Sequence, residues 1–198
     1  MLSAETRGRF FARGGILVQF SVDDTPIGNS LSGLDGFAFK SFTPKKQGLL
    51  EITARADEAL GTGVILSLTK GSSIVFVDIE GCFFSNPLTK DSITVGREVI
   101  SGIMKTYPLV YLQTGFLGTA PLREWLKKND FPLSAVIPWK EGNVFSHLKQ
   151  AGLSIKTVIG SRTVVESSDA FKPDTYVFDG IDDDTNIKKW KEIKEKIK

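Results

Sequence analysis

Five short apolar runs constrain this chain more than any other feature: Ile74-Val75-Phe76-Val77, Leu109-Val110-Tyr111-Leu112, Ala135-Val136-Ile137, Thr157-Val158-Ile159 and Thr175-Tyr176-Val177-Phe178. A run without polar alternation is what a parallel strand buried on both faces requires. Helical segments separate them at Val95 to Lys105, Ala120 to Lys128 and Asn143 to Ala151, with a short one near Thr163 to Ser168. Thr119 reads as an N-cap, with Pro121 in the first turn and Arg123, Trp125 and Leu126 following. Strand and helix in alternation predict an α/β domain over 73–198, built on a doubly wound, Rossmann-like parallel sheet. In such a sheet ligands bind beyond the carboxyl ends of the strands.

The N-terminal part obeys a different period. From Gly15 to Lys70 short alternating runs are separated by turn residues, which predicts an all-β sandwich as a smaller domain over 1–72. The expected strands are Ile16 to Val22, Phe37 to Phe42, Leu49 to Ala56 and Val64 to Leu68. Asp23-Asp24-Thr25-Pro26 and Leu34-Asp35-Gly36 read as turns, and Pro44 to Gly48 as a loop.

Several function classes fall away on composition. Twenty-five basic against 23 acidic residues leave a net charge of +2, too small a field to imply nucleic acid as partner. The one basic concentration, Lys188 to Lys198, carries Ile187, Trp190, Ile193 and Ile197 at helical spacing, so it reads as an amphipathic last helix with a solvated lysine face. The preceding acids Asp179, Asp182, Asp183 and Asp184 read as capping residues of a helix starting near Thr185. One cysteine, Cys82, excludes an internal disulfide, and one histidine, His147, speaks against histidine-rich zinc sites and nucleophile-histidine pairs. His147 falls in a helical segment, where a surface or packing role is expected. No apolar run is long enough for a transmembrane segment, and Met1 to Glu5 does not open a secretory leader. A cytoplasmic location is therefore the default expectation, with export the alternative if the chain is a piece of a longer protein.

The polar residues ending the apolar runs carry the chemistry. They are Asp78-Ile79-Glu80-Gly81, Gln113-Thr114-Gly115, Trp139-Lys140-Glu141-Gly142, and Gly160-Ser161-Arg162 leading to Glu166. Carboxylates, a hydroxyl and an ammonium in one crevice suit phosphoryl transfer through an aspartyl intermediate. One carboxylate attacks phosphorus, the hydroxyl and ammonium hold the non-bridging oxygens, and the acids hold magnesium. Magnesium accepts few protein oxygens with water completing its shell.

These residues resemble the haloacid dehalogenase superfamily, whose first motif is Asp-x-Asp-Gly after the first strand. The resemblance implies Asp78 as nucleophile and Glu80 as general acid/base, in the Asp-Ile-Glu-Gly spelling of the enolase-phosphatases. Cys82 stands where Thr is usual. Thr114 matches the second motif and Lys140 the third, with Lys149 and Lys156 as competitors. Arg123-Glu124-Trp125-Leu126 and Phe131-Pro132 are similar to the actin-patch-type and lipin-like phosphatidate phosphatases. In the fourth motif Ile159-Gly160 is kept, Ser161 replaces the first acid, and Glu166 falls where the second would be. The N-terminal stretch resembles immunoglobulin-like or transthyretin-like modules through Asp35-Gly36, Thr43-Pro44, Gly48 and Ile52-Thr53-Ala54.

The resemblance leads to an expected magnesium-dependent phosphatase-like domain acting on a phosphomonoester, either a phosphorylated small molecule or a lipid head group. Asp78, Glu80, Thr114 and Lys140 would do the chemistry, and Asp78, Glu80 and Glu166 would hold the metal. The competing expectation is a catalytically inactive descendant in which the domain and the β module form a binding or assembly unit, motivated by Ser161 and Cys82. A third is an exported adhesion-like β module with an incidental α/β partner. About thirty residues separate the first two strands, leaving little room for a substrate-selecting cap and implying an open crevice.

Overall fold

The computed structural model describes residues 1–8, 11–84, 90–115, 117–179 and 183–197. The chain divides into two compact units, Met1–Leu68 and Thr69–Lys198.

The first unit is all-β and antiparallel. It comprises β1 (Leu2–Glu5), β2 (Leu17–Val22), β3 (Thr25–Leu31), β4 (Phe37–Lys40), β5 (Gly48–Ala56) and β6 (Ala59–Ser67). β1 pairs with β4, and the others form a four-stranded sheet in the order β3-β2-β5-β6. Alternation along β2 sends Val18, Phe20 and Val22 inward, where they meet Leu2, Ala38 and Leu50 in one core. The β2–β3 connection is tighter than the sequence suggests. Asp23 and Asp24 alone turn the chain, at φ 44° and 60°, and Thr25 and Pro26 already belong to β3. Two left-handed residues match the twist of a hairpin, which short Asp side chains tolerate. Pro26 is accommodated because β3 is an edge strand.

The second unit is mixed α/β. Its elements are β7 (Ser73–Asp78), α1 (Ile79–Phe83), α2 (Lys90–Ile103), β8 (Leu109–Gln113), α3 (Thr119–Lys128), β9 (Ala135–Pro138), α4 (Asn143–Gln150), β10 (Ser154–Gly160), α5 (Arg162–Glu166), β11 (Asp174–Val177) and α6 (Asp183–Lys196). The five strands form a parallel sheet in the order β11-β10-β7-β8-β9. Helices flank both faces, an architecture compatible with a Rossmann-like domain.

β7 is central and buried on both sides. Val75 and Val77 face a cluster with Val99, Ile100 and Ile103 of α2, Leu122 and Leu126 of α3, and Trp190 and Ile193 of α6. Phe76 points the other way and meets Phe145 of α4 edge-on, ring centroids 5.3 Å apart. Gly96 of α2 admits the Phe83 and Trp190 rings, since a Cβ there would lie 2.6 Å from Phe83 and 2.9 Å from Trp190. The two rings stack at 5.4 Å. On α6, Trp190 and Ile193 are buried while Lys188, Lys191 and Lys194 stay exposed, as the helical spacing implies.

Two local expectations change. Thr119 is the first helical residue of α3 and not its cap; Gly118 occupies the N-cap position, without a side-chain hydrogen bond. The five-residue α1 follows β7 directly, where the sequence shows only a strand end. Of the acids before the last helix, Asp183 and Asp184 fall within its first turn, and Asp182 lies outside the described residues. His147 sits exposed on α4.

The chain passes from β7 through β8 to β9 on one side, then crosses back to β10 and β11 on the other. The topological switch therefore lies between β7 and β10, at the carboxyl ends where Asp78 and Gly160 terminate their strands. Truncating Phe145 to Ala removes the ring that fills the α4 face of β7. Denaturant unfolding is expected to read a loss of about 3–5 kcal/mol for it.

Candidate functional site

Asp78 ends β7 fully buried, and its carboxylate is saturated with donors. The backbone turns out of the strand at φ −76° and ψ 101°, making Asp78 the N-cap of α1, and Oδ1 accepts the Gly81 N–H at 2.9 Å. The Thr114 hydroxyl donates to the same oxygen at 2.5 Å. Oδ2 accepts from Ser161 twice, from its backbone N–H at 3.1 Å and its hydroxyl at 2.8 Å. A carboxylate offers about four lone-pair positions, and four donors fill them.

Glu80 lies one helical step on, 8% exposed, and turns toward the loop after β8. Oε2 accepts the Thr114 N–H at 2.8 Å and the Gly115 N–H at 2.5 Å, and Oε1 accepts the Leu117 N–H at 3.2 Å. Thr114 is thus the hinge of the arrangement, its N–H serving Glu80 and its hydroxyl serving Asp78. Among the described residues no ion pair reaches either carboxylate. Among the described residues the donors to these two buried acids are neutral, giving charge-assisted hydrogen bonds.

Three glycines make these contacts sterically feasible. A Cβ at Gly81 would overlap Asp78 Oδ2, one at Gly115 would overlap Glu80 Oε1, and one at Gly160 would lie 2.5 Å from the Asp78 Cβ. The backbone around both acids is packed to contact. Cys82 is buried just behind them. Burial pushes its thiol well above the ordinary range, and the neighbouring Asp78 charge pushes the same way against a smaller opposing effect of Lys189. It is a protonated packing residue.

Of the expected site residues, Asp78, Glu80 and Thr114 converge with Ser161 at the switch point. Lys140 and Glu166 do not join them. Among the described residues neither one hydrogen-bonds or ion-pairs with Asp78 or Glu80, and both side chains are exposed. Lys140 opens a left-handed turn with Glu141 and Gly142, at φ 47°, 54° and 85°, strained at its two non-glycine positions. The turn is fastened to the end of α5 by the Trp139 indole N–H, which donates to the Ser167 hydroxyl at 3.1 Å. The competing lysines are engaged elsewhere. Lys149 lies 5.3 Å over the Phe171 ring, and Lys156, near the start of β10, pairs with Asp174 at 3.5 Å. A second polar cluster sits beside Ser161. Asp179 binds Arg162 at 2.5 Å and Lys189 at 3.3 Å, and these two cations hold its carboxyl below the usual range.

The contacts that reading the sequence left out are backbone donors: the N–H groups of Gly81, Gly115, Leu117 and Ser161. Glycines beside Asp78, Thr114 and Ser161 are their signal in the sequence, because close backbone approach demands them. No protein-family model matches the chain, and no curated protein matches it.

Both Asp78 oxygens accept from two donors each, so an amide nitrogen placed there confronts a donor whichever way it turns. Asp78→Asn is expected to lower unfolding stability by about 1–3 kcal/mol. Glu80→Gln is expected to cost less, because its amide nitrogen can take the Oε1 position against a single donor. Denaturant titration of both variants checks the order.

Proposed function

We propose that the α/β unit is a haloacid-dehalogenase-like domain whose acidic pair is structural, and that it serves with an immunoglobulin-like β unit as a binding or assembly module without turning over phosphomonoesters. The observation that carries this reading is Ser161. It stands where the resemblance expects a metal-holding acid, and both its N–H and its hydroxyl donate to Asp78 Oδ2. An attacking carboxylate needs a free lone pair directed at phosphorus. Here all four positions are spent on protein donors. On this reading Gly81, Thr114 and Ser161 occupy the Asp78 oxygens that would otherwise ligate magnesium, and Glu166 is exposed.

The second reading is the magnesium-dependent phosphatase, with a phosphorylated small molecule or a phosphatidate-like head group as substrate. It is favoured by the meeting of Asp78, Glu80 and Thr114 at the switch point of a parallel sheet. On this reading Asp78 attacks, Glu80 moves the proton, and Thr114 and Lys140 hold the phosphate. It requires Ser161 to release Oδ2 and Lys140 to approach.

Beryllofluoride with millimolar magnesium separates the two, since it mimics an aspartyl phosphate. The structural reading expects no saturable binding and no phosphate release from p-nitrophenyl phosphate or phosphatidate above that of Asp78→Ala. Saturable beryllofluoride binding that Asp78→Ala abolishes would establish the phosphatase.

A further inference from the structure

Two segments that follow strands not adjacent in the parallel sheet meet at its carboxyl end. One is the turn after β9, residues 139–142, and the other is α5, which follows β10. In the order β11-β10-β7-β8-β9 the strands β7 and β8 lie between them, so the contact bridges the two strands that end at Asp78 and Gln113. Trp139 makes the bridge. Its backbone N–H donates to the Gln113 carbonyl at 3.1 Å, just before Thr114, and its indole N–H donates to the Ser167 hydroxyl at 3.1 Å. Ser161 and Ser167 are the two caps of α5, joined by hydrogen-bonded backbone: the Val165 N–H donates to the Ser161 carbonyl at 3.0 Å and the Ser167 N–H to the Thr163 carbonyl at 3.2 Å. Trp139 therefore ties together the two segments whose hydroxyls hold Asp78.

The turn is held against its preference. Lys140 and Glu141 are left-handed without being glycine, both are exposed, and among the described residues neither side chain hydrogen-bonds or ion-pairs. Their conformation is imposed from outside, by Trp139 and by Gly142, where a Cβ would lie 2.9 Å from the Ser167 Cβ. We infer that the Trp139–Ser167 hydrogen bond is the latch of a strap across the carboxyl ends of β7 and β8, with the strained turn as the spring that opens it. Closed, as here, the strap keeps the Ser161 N–H and hydroxyl on Asp78 Oδ2 and keeps Lys140 in its turn, away from the acids. Open, it relaxes Lys140 and Glu141 and lets Ser161 leave Asp78. One movement thus supplies both changes that an accessible Asp78 requires. The inference deepens the structural reading proposed above and rests on it for the closed state, naming what regulates the acidic pair.

Amide hydrogen exchange resolved by NMR on the full chain tests the latch. The Ser161 N–H reports the Asp78 contact, and the Thr114 and Gly115 N–H groups report the Glu80 contact. Trp139→Phe removes the indole donor and keeps an aromatic ring, and Ser167→Ala removes the acceptor. In both, Ser161, Thr114 and Gly115 should exchange about threefold to tenfold faster, the equivalent of one hydrogen bond, while Val75 and Val77 of β7 keep the wild-type rate. Lys140→Asn combined with Glu141→Asn suits a left-handed turn and should slow the same three amides. Loosening confined to 139–143 and Ser167, or spread equally to Val75 and Val77, or an unchanged or faster rate in the asparagine pair, overturns the inference. Beryllofluoride binding by the wild type would sink the structural reading alone; the exchange rates decide the latch with or without it.

Discussion

The α/β unit is organised by one buried charge. The Asp78 carboxylate sits at the end of the central strand β7, fully removed from water, and a group of that kind is tolerated only when its lone pairs are met. They are met from three directions: Gly81 in the turn leaving β7, Thr114 after β8, and Ser161 after β10. Satisfying this carboxylate therefore fixes where three strands end relative to one another. Glu80 extends the same logic by gathering three N–H groups of the loop that leads into α3. The helix following that loop lacks a side-chain cap at Gly118, so its approach is set by the loop that Glu80 holds.

That arrangement separates position from activity. The carboxyl ends at a switch point are where parallel sheets bind ligands, and the acids of the Asp-Ile-Glu-Gly turn stand there. Reactivity asks for something more, a lone pair or a proton held in reserve, and on the structural reading proposed above the Ser161 N–H and hydroxyl take up that of Asp78 Oδ2. An acid in its place would have repelled Asp78 unless a cation stood between them. A hydroxyl and an amide N–H need no cation.

Much of the fold was legible in the chain because burial leaves a periodic trace. Continuous apolar runs marked β7, β8, β9, β10 and β11, and alternation marked β2 and β5. What escaped was β1, β3 and α1. β3 reads Thr-Pro-Ile-Gly-Asn-Ser-Leu, with no apolar alternation, since an edge strand with little buried surface leaves no such trace. α1 is five residues long and exists because Asp78 caps it, an effect of one side chain and not of period. In the site, Asp78, Glu80 and Thr114 were legible as strand-end residues. The separation of Lys140 and Glu166 from them was not, because strand order and the left-handed turn at Lys140 set it.

The sequence by itself determined the two kinds of secondary structure, the burial of β7 and the polar character of its carboxyl end, all of which follow from which residues water excludes. Tertiary structure alone decided what the acids do there. Ser161 stands 83 positions after Asp78 in the chain, and only the parallel pairing of β10 with β7 brings its two donors onto one carboxylate oxygen. Hydrogen bonding is directional and short-ranged, so no pattern along the chain encodes that contact; the sheet does.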